Sequence, residues 1–159
     1  MYSKTHSAGQ AAEFVRKLLA TAKRSPASQH DSLVTLLATE LRSHGWKIRA
    51  DHSPEYQRPH KIYGRIPDVI AFHSDGSMAF VVEVETYEGL WTSHTADQWR
   101  DLVLVRDLGV GFFVFVPDNL RISARWRAVT LGVILDGVIS PQNLRNWNLM
   151  SSNDRRSGG

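Results

Sequence analysis

Apolar residues along the chain alternate between helical and strand spacing, and that alternation predicts the order of elements. Ala11, Phe14, Val15, Leu18, Leu19 and Ala22 recur at helical intervals, so a helix is expected over 8–24. Ser25-Pro26 then reads as an N-cap followed by proline in the first turn of a second helix. That helix is expected to run to about His44, with Leu33, Leu36, Leu37 and Leu41 as its apolar stripe and Gly45 as its C-cap.

Strand spacing follows. Trp46 to Ala50 predicts a short strand, Asp51 to Lys61 a polar loop, and Ile66 to Phe72 the next strand. Ser74-Asp75-Gly76-Ser77 is a turn sequence, and Met78 to Thr86 a third strand, so the two strands about Gly76 are expected to form a hairpin. Tyr87 to Ser93 reads as a loop and Thr95 to Leu108 as a helix ended by Gly109. Val110 to Val116 is a continuous apolar run, as expected of a strand covered on both faces. Leu120 to Trp126 and Ala128 to Leu135 suggest a helical turn and short strands, and Pro141 to Leu149 a terminal helical turn. A hairpin-containing sheet followed by a helical crossover to a buried strand is an α/β arrangement. One domain is expected over residues 1–150, with 151–159 a flexible tail.

Composition narrows the class. A hydrophobic fraction of 42% and a charged fraction of 22% are ordinary for a globular chain. No apolar run approaches a bilayer-spanning length, Met1 to Gln10 is polar, and no membrane association is expected. With no cysteine there are neither disulfides nor thiolate metal sites, and a cytoplasmic location is expected. The net charge of +3 is mild. Its distribution is uneven, with basic clusters in residues 1–24 and 40–65 and a third at Arg121, Arg125 and Arg127 beside Trp126. Phosphate contact is one use for these clusters and a solvated surface the other.

The candidate chemistry lies on the third strand. Ala79, Val81, Glu83 and Glu85 share one face, so two carboxylates point the same way about 6–7 Å apart. Asp68 lies eight residues before Gly76, and Glu83 and Glu85 lie seven and nine after it. A hairpin through Gly76 therefore brings three acids to one end of the sheet, an arrangement that calls for a cation or a basic partner. A hard divalent ion such as Mg²⁺ suits such oxygen ligands. Glu40 falls on the apolar stripe of the second helix and needs a partner there. Thr95-x-x-Gln98 fits a capping box. The seven histidines show no metal-ligand spacing and read as surface or core residues. There is no P-loop and no Gly-x-Gly-x-x-Gly. Trp91, Trp99 and Trp126 could stack on bases or serve packing.

Pro67-Asp68 followed by Glu83-Val84-Glu85 resembles the PD-(D/E)xK motif of restriction-endonuclease-like nucleases, with Glu85 in place of the usual lysine. The resemblance covers roughly residues 28–116. It implies an αβββαβ core with a mixed sheet flanked by helices, here with an extra N-terminal helix. It further implies Mg²⁺ (or Mn²⁺) held by Asp68, Glu83 and the Val84 carbonyl, with Glu85 as general base or second ligand. Glu40 resembles the first-helix acid of Holliday-junction resolvases, and Gln98 a glutamine on the later helix of some members. Lys47, Arg49, Lys61 and Arg65 are the candidate nucleic-acid contacts, and Lys47 or Lys61 could supply the displaced cation. The implied activity is phosphodiester hydrolysis, most readily in DNA. The alternative is a catalytically inactive module of the same fold that binds nucleic acid or assembles with other proteins. A homodimer could form through Phe112 to Val116 or the N-terminal helix.

Overall fold

The computed structural model describes residues 26–144, together with Glu13 and Arg16, both helical and exposed. The rest of the helix expected over 8–24, residues 145–149 and the tail lie outside the described residues. Helix α1 (Pro26–Ser43) opens on its proline and buries Leu33, Val34, Leu37, Ala38 and Leu41. Gly45 adopts φ 89°, and the Gly45 and Trp46 amides return to Arg42 and Leu41, closing the helix end as its position predicts.

Strands β1 (Lys47–Ala50), β2 (Val69–Phe72) and β3 (Met78–Val84) follow. Gly76, at φ 88°, makes the β2–β3 turn. Strand β2 starts three residues later than expected, because Pro67 has no N–H to donate to a ladder. Residues 87–90, expected as loop, form the short helix α2 (Tyr87–Leu90), whose N-cap Thr86 accepts from the Gly89 amide. Helix α3 (Ser93–Leu102) is capped by Thr92 rather than opened by a Thr95–Gln98 box. It continues as a 3₁₀ segment to Leu108, and Gly109 ends it at φ 74°.

Strand β4 (Gly111–Phe115) is followed by a 3₁₀ turn (Asp118–Leu120), helix α4 (Arg121–Leu131), strand β5 (Gly137–Ile139) and helix α5 (Pro141–Leu144). Residues 128–135 are thus not strands. Leu120, Ala124 and Ala128 bury one helical stripe, while Ile122, Trp126 and Val129 stay exposed and blur the period in the sequence.

The five strands lie in the order β1-β2-β3-β4-β5. β1, β2 and β3 pair antiparallel; β4 is parallel to both β3 and β5. The fold is therefore α/β, a mixed sheet flanked by helices. One face packs Val69, Phe80, Val82, Val84 and Phe115 against α1. The other packs Ile70, Val81, Phe112 and Val114 against Trp99 and Leu102 of α3 and Ala124 and Ala128 of α4. β4 is interior to the sheet and buries Phe112, Val114 and Phe115, while Phe113 is half-buried. Among the described residues no helix is long and apolar enough to cross a membrane.

Candidate active site

The β2–β3 ladder pairs Val69 with Val82, and one step further puts Asp68 opposite Glu83. Here backbone pairing gives way to carboxylates. Asp68 Oδ2 accepts the Val84 amide at 2.8 Å, and the Asp68 amide donates to Glu83 Oε1 at 3.2 Å. Each acid holds the other's strand, and among the described residues these bonds leave Asp68 Oδ1 and Glu83 Oε2 to other ligands. The Asp51 amide donates to the Asp68 carbonyl at 2.8 Å, which fastens the β1–β2 connection to the same point.

The first turns of α1 bring His30 to this end of the sheet. Its Nε2 lies 3.2 Å from Asp68 Oδ2 and its Nδ1 3.2 Å from Asp31 Oδ1. Burial disfavours the imidazolium, but hydrogen bonding and negative charge from Asp68, then Asp31, outweigh it and raise the His30 pKa to about 9. His52, in the β1–β2 connection, stands edge-on to His30 with ring centroids 5.3 Å apart. Ligand atoms of His30, His52 and Asp68 all lie within 4.8 Å of one another.

Glu85 sits one turn of the pleat beyond Glu83, in the loop leaving β3. Its amide donates to the Phe115 carbonyl at 2.9 Å. Its carboxylate accepts from Trp99 Nε1 at 3.2 Å and Thr95 Oγ1 at 3.3 Å, so α3 holds it in place. A Cβ at Gly89 would stand 2.8 Å from Glu85 Oε2, so α2 approaches the carboxylate through a residue without a side chain. Burial, then the charge of Asp68, raises the Glu85 pKa to about 7 against the opposing hydrogen bonds from Thr95 and Trp99 and the charge of His30. Glu83, only 1% exposed, is raised well above the usual carboxylate range by burial and by the charges of Asp68 and Glu85. Asp68, Glu83 and Glu85 act on one another electrostatically, with His30 as the cation touching Asp68, but among the described residues the group whose ligand atoms lie within 4.8 Å of one another is His30, His52 and Asp68 rather than the three acids.

The structure links Asp68 and Glu83 directly, places Glu85 two residues further on with its carboxylate turned to Thr95 and Trp99, and leaves the other sequence candidates apart. Glu40 is half-buried ten residues after His30 on α1, about 15 Å along the helix axis. His30, not Glu40, is the first-helix residue that reaches Asp68. Gln98 is half-buried on α3, and the hydrogen bonds to Glu85 come instead from Thr95 and Trp99. Val84 presents its amide to Asp68 and packs its side chain in the α1-side core. Lys47 lies at the opposite, hairpin end of the sheet, where Nζ donates to the Ser74 carbonyl, and so cannot replace the missing lysine. Arg49 stacks over Phe72. Lys61 is exposed in the β1–β2 connection, and Arg65 pairs with Asp101 of α3 at 2.7 Å. His30 and His52 lie 22 residues apart and on different elements, so nothing in the sequence pairs them as ligands. Their convergence depends on where the β1–β2 connection folds back, which no spacing rule encodes. Comparison with family models, curated proteins and solved structures finds no match for this chain.

Proposed function

We propose that this chain is a metal-dependent phosphodiester hydrolase of the nuclease class, acting on DNA. The observation that carries this reading is the opposition of Asp68 and Glu83 one step beyond the β2–β3 register, with Glu85 following in the loop after β3. The element order α1-β1-β2-β3-α3-β4 also agrees with the core that the PD-(D/E)xK resemblance implies. Asp68, Glu83 and the Val84 carbonyl would hold Mg²⁺ or Mn²⁺, and the bound ion supplies Lewis acidity toward the phosphate and the attacking water. Glu85, with a pKa of about 7, both takes and returns a proton near neutrality, which suits a general base. Trp99 and Thr95 fix its direction. Positive charge on His30, beside Asp68, faces the end of the sheet at which an anionic substrate would arrive. Lys61 and Arg65, in the segment leading into Asp68, are the phosphate contacts nearest in the chain, and the exposed Trp91, with Arg127 over its ring, offers a stacking surface.

The second reading is a binding module without catalysis. It is favoured by Glu85 in the lysine position, where Trp99 and Thr95 hold it. Supercoiled plasmid incubated with Mg²⁺ or Mn²⁺ separates the two. Nicking that needs the ion and disappears in Asp68→Asn and Glu83→Gln supports the hydrolase. Tight DNA binding without nicking supports the module, and neither binding nor nicking removes both.

A further inference from the structure

We propose that His30, His52 and Asp68 form a binding site for a first-row transition ion of the zinc type, distinct in chemistry from the all-oxygen site of Asp68 and Glu83. The donors come from α1 and from the two ends of the β1–β2 connection, His52 just after β1 and Asp68 just before β2. Their ligand atoms lie within 4.8 Å of one another. Ligand distances of about 2.0–2.2 Å to zinc put neighbouring donors about 3–3.5 Å apart, so closure needs only small side-chain shifts. Imidazole nitrogen favours zinc, cobalt and related ions over magnesium, which prefers oxygen.

Two further observations bear on the site. The first is conformational. His52 is in the left-handed region at φ 54°, and among the described residues Tyr63 is the other non-glycine residue there. The Asp51 side chain accepts the His52 amide at 3.0 Å and maintains that turn. Histidine adopts the left-handed region more readily than most side chains, and here that backbone presents the ring to His30. The second is the surrounding carboxylates. Asp31 Oδ1 lies 3.2 Å from His30 Nδ1 and 3.6 Å from His52 Nδ1, and Asp51 Oδ2 lies 3.6 Å from His52 Nε2. The Asp31 carboxylate hydrogen-bonded behind His30 fixes that ring's orientation and strengthens it as a ligand, while the carboxylates beside His52 stand at ion-pair distance. His52 is half exposed, which gives the ion a path from solvent.

The site shares Asp68 with the hydrolase reading but does not depend on it, and an ion bound here takes the place of the His30 proton, so that His30 is a neutral ligand in this site and a cation only without the ion. Its test is binding of the ion alone to the full chain, without DNA. Co²⁺ should give visible d–d absorption from nitrogen-containing coordination, and Zn²⁺ should abolish that absorption by competition while an equal concentration of Mg²⁺ leaves it. His52→Gly, which tolerates the left-handed backbone, and His30→Gln should each weaken Zn²⁺ binding by about 100-fold, and Asp31→Asn by about 10-fold. Zn²⁺ affinity unchanged in His52→Gly, or Co²⁺ absorption equally displaced by Mg²⁺, overturns the proposal. Plasmid nicking in Mg²⁺ that survives such a result leaves the hydrolase standing. Zinc binding with no nicking leaves this site standing alone.

Discussion

At neutral pH the Glu85 carboxyl sits near its half-titration point, because burial and the negative charge of Asp68 favour its proton. The folded state thus holds that proton more tightly than the unfolded chain, from an ordinary value of 4.5 up to about 7. The resulting stabilisation is complete below pH 4.5 and is lost as pH rises through about 7. His30 follows the same sign in a higher window. Its advantage is complete below pH 6.5 and is lost as pH rises through about 9. In chelator-treated protein, urea midpoints measured from pH 4 to pH 10 should therefore decline through both windows, with Glu83, raised in the same direction, adding to the fall. Glu85→Gln should reduce the fall in the lower window and His30→Gln that in the upper. A wild-type midpoint that rises across either window contradicts the corresponding assignment.

Among the elements, α3 matters most to the candidate site, since Thr95 and Trp99 together orient Glu85. The helix starts where it does because Thr92 Oγ1 accepts the Thr95 amide at 3.1 Å. Thr92→Ala should cost about 1 kcal/mol of stability, read from urea denaturation. It should also raise the Glu85 pKa by loosening Thr95, visible as a shift of the lower pH window. The order of elements from α1 to β4, apart from the short α2, and the β2–β3 register were legible in the sequence because turn residues at Gly76 and the spacing of apolar positions determine both. The start of α3 was not, because Thr92 and Thr95 are both capping residues and only packing selects between them. Helix α4 was obscured for a related reason: Ile122, Trp126 and Val129 are apolar yet exposed, so its pattern has no clean polar face.

For the molecule as a whole, the sheet is the frame: β3 joins its antiparallel and parallel parts, and β4 lies inside the parallel part. Phe112 is fully buried on the face covered by α3 and α4. Phe112→Ala should cost about 3–5 kcal/mol, measured as a fall in the urea midpoint with a cooperative transition retained. The acidic half of the candidate site was legible because one strand and its hairpin partner carry it. The imidazole half was not, since it arises from long-range packing between α1 and the β1–β2 connection.

Asp68 has a consequence for spectroscopy. Its carboxylate, rather than a neighbouring backbone carbonyl, accepts the Val84 N–H. The resonance of that one amide is therefore wired to the chemistry of the acid. Titration of Mg²⁺ or Zn²⁺ into ¹⁵N-labelled protein should displace the Val84 cross-peak early and strongly, while amides in the middle of β4 stay put. A Val84 signal indifferent to every ion tested would mean that Asp68 engages none of them.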